Sequence, residues 1–363
     1  MAIRQQPRDQ RPVPSPDPPA ARHAGADRRP VGLIVVLLVG VGLALAPVAF
    51  QMFSRAPGGG RMIDAFRPYM TRAEVTKLRG FLTEIGAAQH QARDTLDPAA
   101  AAQAGVTVAA YRHDSPFLAE FETRWPHIDA DMTDMLDRMH ANLGNYAAVD
   151  ALPPFALFPW FFELPGLLLA GAAGWALVRR RRGDPRPAPL VALVVLGVGL
   201  VAAPFAFQMF SRAPQGGQMI DDFRPLMTRH KVTTIQGYFI TIGNGEVSLA
   251  QQTQPPAASP APVAAVDTFV RDWPRIDREM APVVGVMSDN VDRFAGVDAL
   301  PPFPLFPWFF VIPGLLVVVL AGLELRRTRR ATTAAAATDP PSPRSEPTVS
   351  TLTEGEGGPH GSA

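Results

Sequence analysis

Ala46–Arg72 reads APVAFQMFSRAPGGGRMIDAFRPYMTR, and Ala203–Arg229 reads APFAFQMFSRAPQGGQMIDDFRPLMTR. Of these 27 positions, 22 are identical at an offset of 157. A second string, VDALPPFALFPWFF at Val149–Phe162, returns at Val297–Phe310 with 13 of 14 positions identical at an offset of 148. Two matches in the same order predict a tandem duplication. The offsets differ by nine residues, and the difference falls between the two strings, where the sequence is least patterned.

Each string borders an apolar block. Val31–Phe50 holds twenty residues without a charge. As a helix it covers roughly 30 Å, the thickness of a bilayer's hydrocarbon core. Phe155–Val178, Leu190–Phe207 and Phe303–Leu323 are the other blocks. The expected fold is therefore an all-α integral membrane protein. Four transmembrane helices are arranged as two tandem parallel repeats, each carrying an extracytoplasmic two-helix segment, and the two segments combine into a four-helix outer bundle. In numbers, 1–30 is a disordered cytoplasmic tail. Repeat 1 is 31–182, with spans at 31–52 and 155–178 around an outer segment at 53–154. A cytoplasmic linker covers 183–189. Repeat 2 is 190–330, with spans at 190–209 and 303–325 around an outer segment at 210–302. A second disordered tail covers 331–363. The first block is read as a signal anchor, because a cleavage site has no reason to recur after the third block.

Orientation follows from the short basic flanks. Arg28 and Arg29 precede the first block, Arg179–Arg182 follow the second, and Arg326, Arg327, Arg329 and Arg330 follow the fourth. All lie on one side of a four-pass path, which is read as cytoplasmic in a cell membrane. Both termini are then inside and both long loops outside. Trp160 and Trp308 stand at the outer entries to the second and fourth blocks, where amphipathic rings anchor at headgroups.

Within the outer segments, apolar residues recur every three or four positions. One stretch is expected from about Met62 to Ala92, with a kink or restart at Pro68 and its counterpart Pro225. Thr71 and Glu74 have capping-box spacing. A second stretch carries Phe117, Phe121, Trp125, Ile128, Met132, Met135, Met139, Leu143, Tyr146 and Val149. Its methionines are expected in a core, with an adaptable binding surface as the alternative. Pro126 and Pro274 are read as starts or kinks of these returning helices. The PGGG run after Ala56 is read as a turn or a helix break at the surface. Ala99–Val108 and Gln251–Val263 are read as loose loops.

Composition excludes several chemistries. The chain has no cysteine, so it has no disulfide or thiolate ligand. Its net charge of +1 gives no field for nucleic acid. None of His90, His113, His127 and His140 is duplicated, so no metal or cofactor is expected. No nucleophile motif is present, and no enzyme is expected. The candidate interaction residues are the duplicated charges at the membrane boundary: Arg55 and Arg212, Asp64 and Asp221, Arg67 and Arg224, Asp150 and Asp298. Glu163, an acid inside a span, joins them. Asp64 and Arg67, three apart, suit a pair on one helix face. The expected role is non-enzymatic: the outer bundle binds a partner protein or a ligand, as an accessory or sensor-like component. Partners are the lipid bilayer and either a cell-envelope protein or further copies of the chain. The alternative is a small transporter or channel subunit, for which the spans offer little polar lining.

Overall fold

The structure is a computed structural model, described here for residues 30–183, 186–253 and 261–338. The expected tails lie almost wholly outside these residues. Among the described residues every regular element is helical. Four helices are long and apolar enough to cross a membrane: Val31–Ala49, Phe155–Arg181, Ala188–Ala206 and Phe303–Arg330.

The first of these is α1 (Val31–Ala49). It passes into α2 (Met52–Phe66) through Gln51, whose φ of 54° is left-handed. The PGGG run does not break the chain: α2 continues through Pro57 and all three glycines. These glycines serve packing rather than turning. A Cβ at Gly59 would stand 3.0 Å from Val297 Cγ2. The chain breaks instead after Arg67, which is still helical, at Pro68, where the missing N–H cannot continue the hydrogen-bond ladder. The next helix, α3 (Arg72–Gln91), is capped by Thr71, whose hydroxyl accepts the Glu74 N–H at 3.2 Å. Thr228 caps the helix beginning at Arg229 in the same way, its hydroxyl accepting the Lys231 N–H at 3.1 Å, so the cap recurs although the glutamate does not.

A π-helical turn at Ala92–Leu96 then leads into α4 (Asp97–Ala104) and α5 (Val108–Asp114). The loose loop expected at Ala99–Val108 is thus mostly helical, since an alanine run needs no amphipathic pattern to form a helix. Next come α6 (Pro116–Ala141), α7 (Leu143–Asp150) and α8 (Phe158–Arg181). The second half holds α9 (Ala188–Ala206), α10 (Met209–Phe223), α11 (Arg229–Thr253), α12 (Ala264–Asp298) and α13 (Trp308–Thr338). Among the described residues, the segments between these apolar helices therefore hold six α-helices and three, not two each. The prolines account for part of the difference. Pro68 and Pro225 divide their helices, whereas α6 and α12 continue past Pro126 and Pro274, so neither of these prolines starts a helix.

Four long helices close a ring: α3 packs on α6, α6 on α11, α11 on α12 and α12 on α3. The methionine stripe lies inside it, with Met132, Met135 and Met139 all buried. Phe117 departs from the stripe at 56% exposed, and Leu118 takes the buried position. A second apolar cluster lies among the four spans. Phe155 and Phe303 touch both clusters and join them.

The spans pair tightly through glycine. A Cβ at Gly40 in α1 would fall 2.6 Å from the Ala170 nitrogen in α8, and one at Gly166 would fall 2.5 Å from the Ala44 nitrogen. Gly197 and Gly314 make the matching contact between α9 and α13. Small residues let helix backbones approach where no water drives them together.

Candidate functional site

Eight of the nine candidate residues gather in one layer, where the spans meet the ring. Arg67 lies 2.8 Å from Asp64, the i,i+3 pair that spacing suggested. It also reaches Asp150 at 2.6 Å, which spacing could not suggest. Arg224 repeats both contacts, with Asp221 at 2.9 Å and Asp298 at 2.7 Å. Both arginines are held more firmly protonated than usual, chiefly by the hydrogen bond to Asp150 or Asp298. Each pair ties the break after α2 or α10 to the end of the helix returning toward the spans.

Arg55 and Arg212 act across the two halves. Arg55 Nη1 donates to the Ala299 carbonyl at 3.2 Å, and Arg212 Nη1 donates to the Ala151 carbonyl at 2.9 Å. Ala299 and Ala151 are the C-caps of α12 and α7. A cation there meets unpaired carbonyls and the negative end of the helix dipole. Each half therefore caps the other's returning helix.

The aromatic residues of the boundary repeat this correspondence. Phe53 meets Trp160 edge-on at 5.5 Å between centroids, and Phe210 meets Trp308 at 5.5 Å. Phe162 and Phe310 meet each other at 4.5 Å between the halves. Gln51 and Gln208 are the only non-glycine residues with positive φ among those described. Both sit at the joint between a span and its outer helix. Left-handed backbone costs an ordinary L-residue about 1–2 kcal/mol.

Directly inside the ring from this layer lies an apolar cavity of about 50 Å³. Met62, Met70, Met135 and Met139 line it from the first half, and Met219, Met227 and Met287 from the second. Seven of the chain's 12 methionines thus surround one space. Tyr146 closes one side, its hydroxyl donating to the Ile63 carbonyl. Burial pushes the Tyr146 phenol up to about 12, so it remains a donor at ordinary pH.

Glu163 stands apart from the layer, within α8. Its Oε2 is buried without a hydrogen-bond partner. Sequence reading missed Glu324 in α13, 9% exposed and 3.3 Å from Arg180 of α8. It also missed Asp131, which accepts from Lys231 at 2.6 Å and from the Tyr238 hydroxyl. The four span glycines were missed too, although they obey the repeat: Gly40 and Gly197 are 157 apart, and Gly166 and Gly314 are 148 apart. Among the described residues no three His, Cys, Asp or Glu side chains converge as a metal site would require.

No family model and no curated protein matches the chain.

Proposed function

We propose that the chain is a non-enzymatic, multi-pass cell-membrane protein made of two tandem copies of one unit, whose outer helical ring binds a ligand or partner protein. The methionine-lined cavity, set between the copies and directly beyond the spans, carries this reading. Thioether side chains are long, soft and polarisable, and they repack around an occupant at low cost. The charges at the boundary are already engaged in capping and tying helices, which leaves the cavity as the adaptable element.

The orientation has separate support. The start of α1 and the end of α13 lie together, since a Cβ at Gly32 would stand 3.7 Å from Glu324 Oε1. Arg180 and Arg327 meet Glu324 at the same end, so basic residues crowd one end of the four spans. That end is the cytoplasmic one by the charge rule. Trp160 and Trp308, 47% and 49% exposed, face outward at the opposite end. Topology is testable directly, because the chain has no native cysteine. With Ala102→Cys and Thr333→Cys, an impermeant thiol reagent labels the first from outside and not the second; labelling of Thr333→Cys in intact cells refutes the orientation.

Binding is tested by native mass spectrometry of the full chain extracted in mild detergent. A bound molecule or stoichiometric partner, reduced by the cavity-filling substitution Met62→Phe, is expected. A bare chain that elutes alone refutes the reading. The transporter reading has weaker support, since backbone-to-backbone packing at Gly40 and Gly166 leaves no room for a path between α1 and α8.

A further inference from the structure

The two halves differ most where the first carries its nine extra residues. There α3 passes through the π turn into α4, and α5, packed on α4, folds back against α6, so that the two form a flap. Beneath the flap lie two carboxyl groups and one guanidinium. The Asp97 side chain is 0% exposed and that of Glu122 is 5% exposed. Arg112 Nε stands 2.6 Å from Asp97 Oδ2 and 3.1 Å from Glu122 Oε2. The two remaining oxygens, Asp97 Oδ1 and Glu122 Oε1, are buried with no hydrogen-bond partner. The second half has Val270 at the position of Glu122, and it is buried as ordinary core.

The charges do not balance. Two carboxylates against one guanidinium leave a net negative charge out of water, and an unpaired buried charge is expensive. A single proton removes the charge and supplies the missing donor between the carboxyls. A bound metal ion would need further ligands, and among the described residues no third such side chain joins the pair. The other groups facing the site are Tyr111 from α5, Arg93 from the π turn and Gln89 from α3, with His90 and Asp94 beyond Arg93. Gln89 Nε2 donates to the Glu122 backbone carbonyl at 3.4 Å and leaves the carboxyl unserved.

We propose that Asp97 and Glu122 form a proton-binding site, in which one shared proton and Arg112 hold the α4–α5 flap closed and loss of that proton loosens it. π turns inside helices recur at functional positions, and this one places Asp97 under the flap. Burial, reinforced by the Asp97 charge, pushes the Glu122 carboxyl up to about 7, and burial raises Asp97 too. Opening the flap returns Glu122 to water, where its ordinary value is 4.5. The closed form therefore holds the proton more tightly, and acid favours closure. The opening equilibrium rises up to about tenfold per pH unit between the two values and is flat on either side. With the flap outside the cell, the protein would respond to external pH. This site is separate from the methionine cavity, so either reading can fail alone.

The test is hydrogen exchange of the full chain in detergent from pH 4.5 to 8, corrected for the intrinsic rate. Protection of peptides spanning 93–115 is expected to fall up to about a hundredfold from pH 4.5 to 7 and then level off. Peptides of α11 serve as the internal reference. Glu122→Gln keeps a donor toward Asp97 and removes the second charge, so its protection should not change with pH. Wild-type protection independent of pH, or an unchanged slope in Glu122→Gln, overturns the proposal. Infrared spectra of the wild type provide a check that needs no variant. A buried carboxylic-acid band that titrates near neutral pH is expected, and its absence overturns the proposal equally.

Discussion

Replacing Gly40 by alanine tests how the first pair of spans is held. The added Cβ would stand 2.6 Å from the Ala170 nitrogen and 2.9 Å from the Gly166 oxygen. Both are backbone atoms and cannot rotate away. Restoring an ordinary contact near 3.4 Å moves α1 and α8 apart by about 0.8 Å at the crossing. A gap of that size forfeits a quarter to a half of each dispersion well of about 0.1–0.2 kcal/mol. Over roughly forty atom pairs the loss is about 2 kcal/mol. Gly42→Ala, two residues along the same helix, meets nothing within 4 Å and should be neutral or slightly stabilising. Gly197→Ala should fall between them, because its nearest neighbour is a side-chain methyl, Val318 Cγ2 at 2.8 Å, and its nearest backbone atom, the Gly314 oxygen, stands farther off at 3.0 Å than in the Gly40 contact. Denaturant titration of the purified chain in one detergent, followed by circular dichroism, gives the order. If Gly40→Ala and Gly42→Ala agree within about 0.5 kcal/mol, close backbone contact is not what holds the pair.

Other changes test the boundary layer. Gln51→Gly relieves a left-handed residue and should raise stability, or leave it unchanged where added chain freedom offsets the gain, within about 1 kcal/mol; a clear loss in thermal unfolding would show that the glutamine side chain itself matters. Tyr146→Phe copies the residue of the other half, Phe294, and removes the hydroxyl's hydrogen bond to the Ile63 carbonyl, which keeps the Arg67 N–H at 3.1 Å. It should lower stability by about 1 kcal/mol, whereas Phe294→Leu probes packing alone. Arg67→Ala removes exposed contacts to Asp64 and Asp150, so its effect on the unfolding midpoint should be small and should shrink further in high salt; an effect insensitive to salt contradicts an ionic tie.

The helical class and the four apolar helices were legible in the sequence because each rests on a local property, length without charge or a spacing of three and four. The methionine stripe was legible as core for the same reason. The boundary charges were found through duplication and the Asp64–Arg67 pair through spacing, but their long-range partners were not. Arg55 bonds a backbone carbonyl 244 positions away, and no residue type marks such an acceptor. The PGGG run misled because glycine permits both a turn and a close approach, and only the Val297 methyl opposite Gly59 decides between them. Glu122 looked like any surface acid, since its burial depends on a flap formed by an alanine-rich stretch with no apolar pattern. Glu324 was hidden by its position at the end of an apolar block beside a cluster of arginines.

The exchanged arginine caps have a consequence for biogenesis. When Arg55 leaves the ribosome, its acceptor lies 244 codons downstream. At roughly 5–20 residues per second, the first half waits about 12–50 s for the acceptor of Arg55, and its own returning helix waits about 3–12 s for Arg212, 61 positions beyond Ala151. During that interval it exposes the methionine face that later closes the cavity. A truncated or stalled product stays in this state indefinitely, so proteases and chaperones can tell the unfinished chain from the finished one.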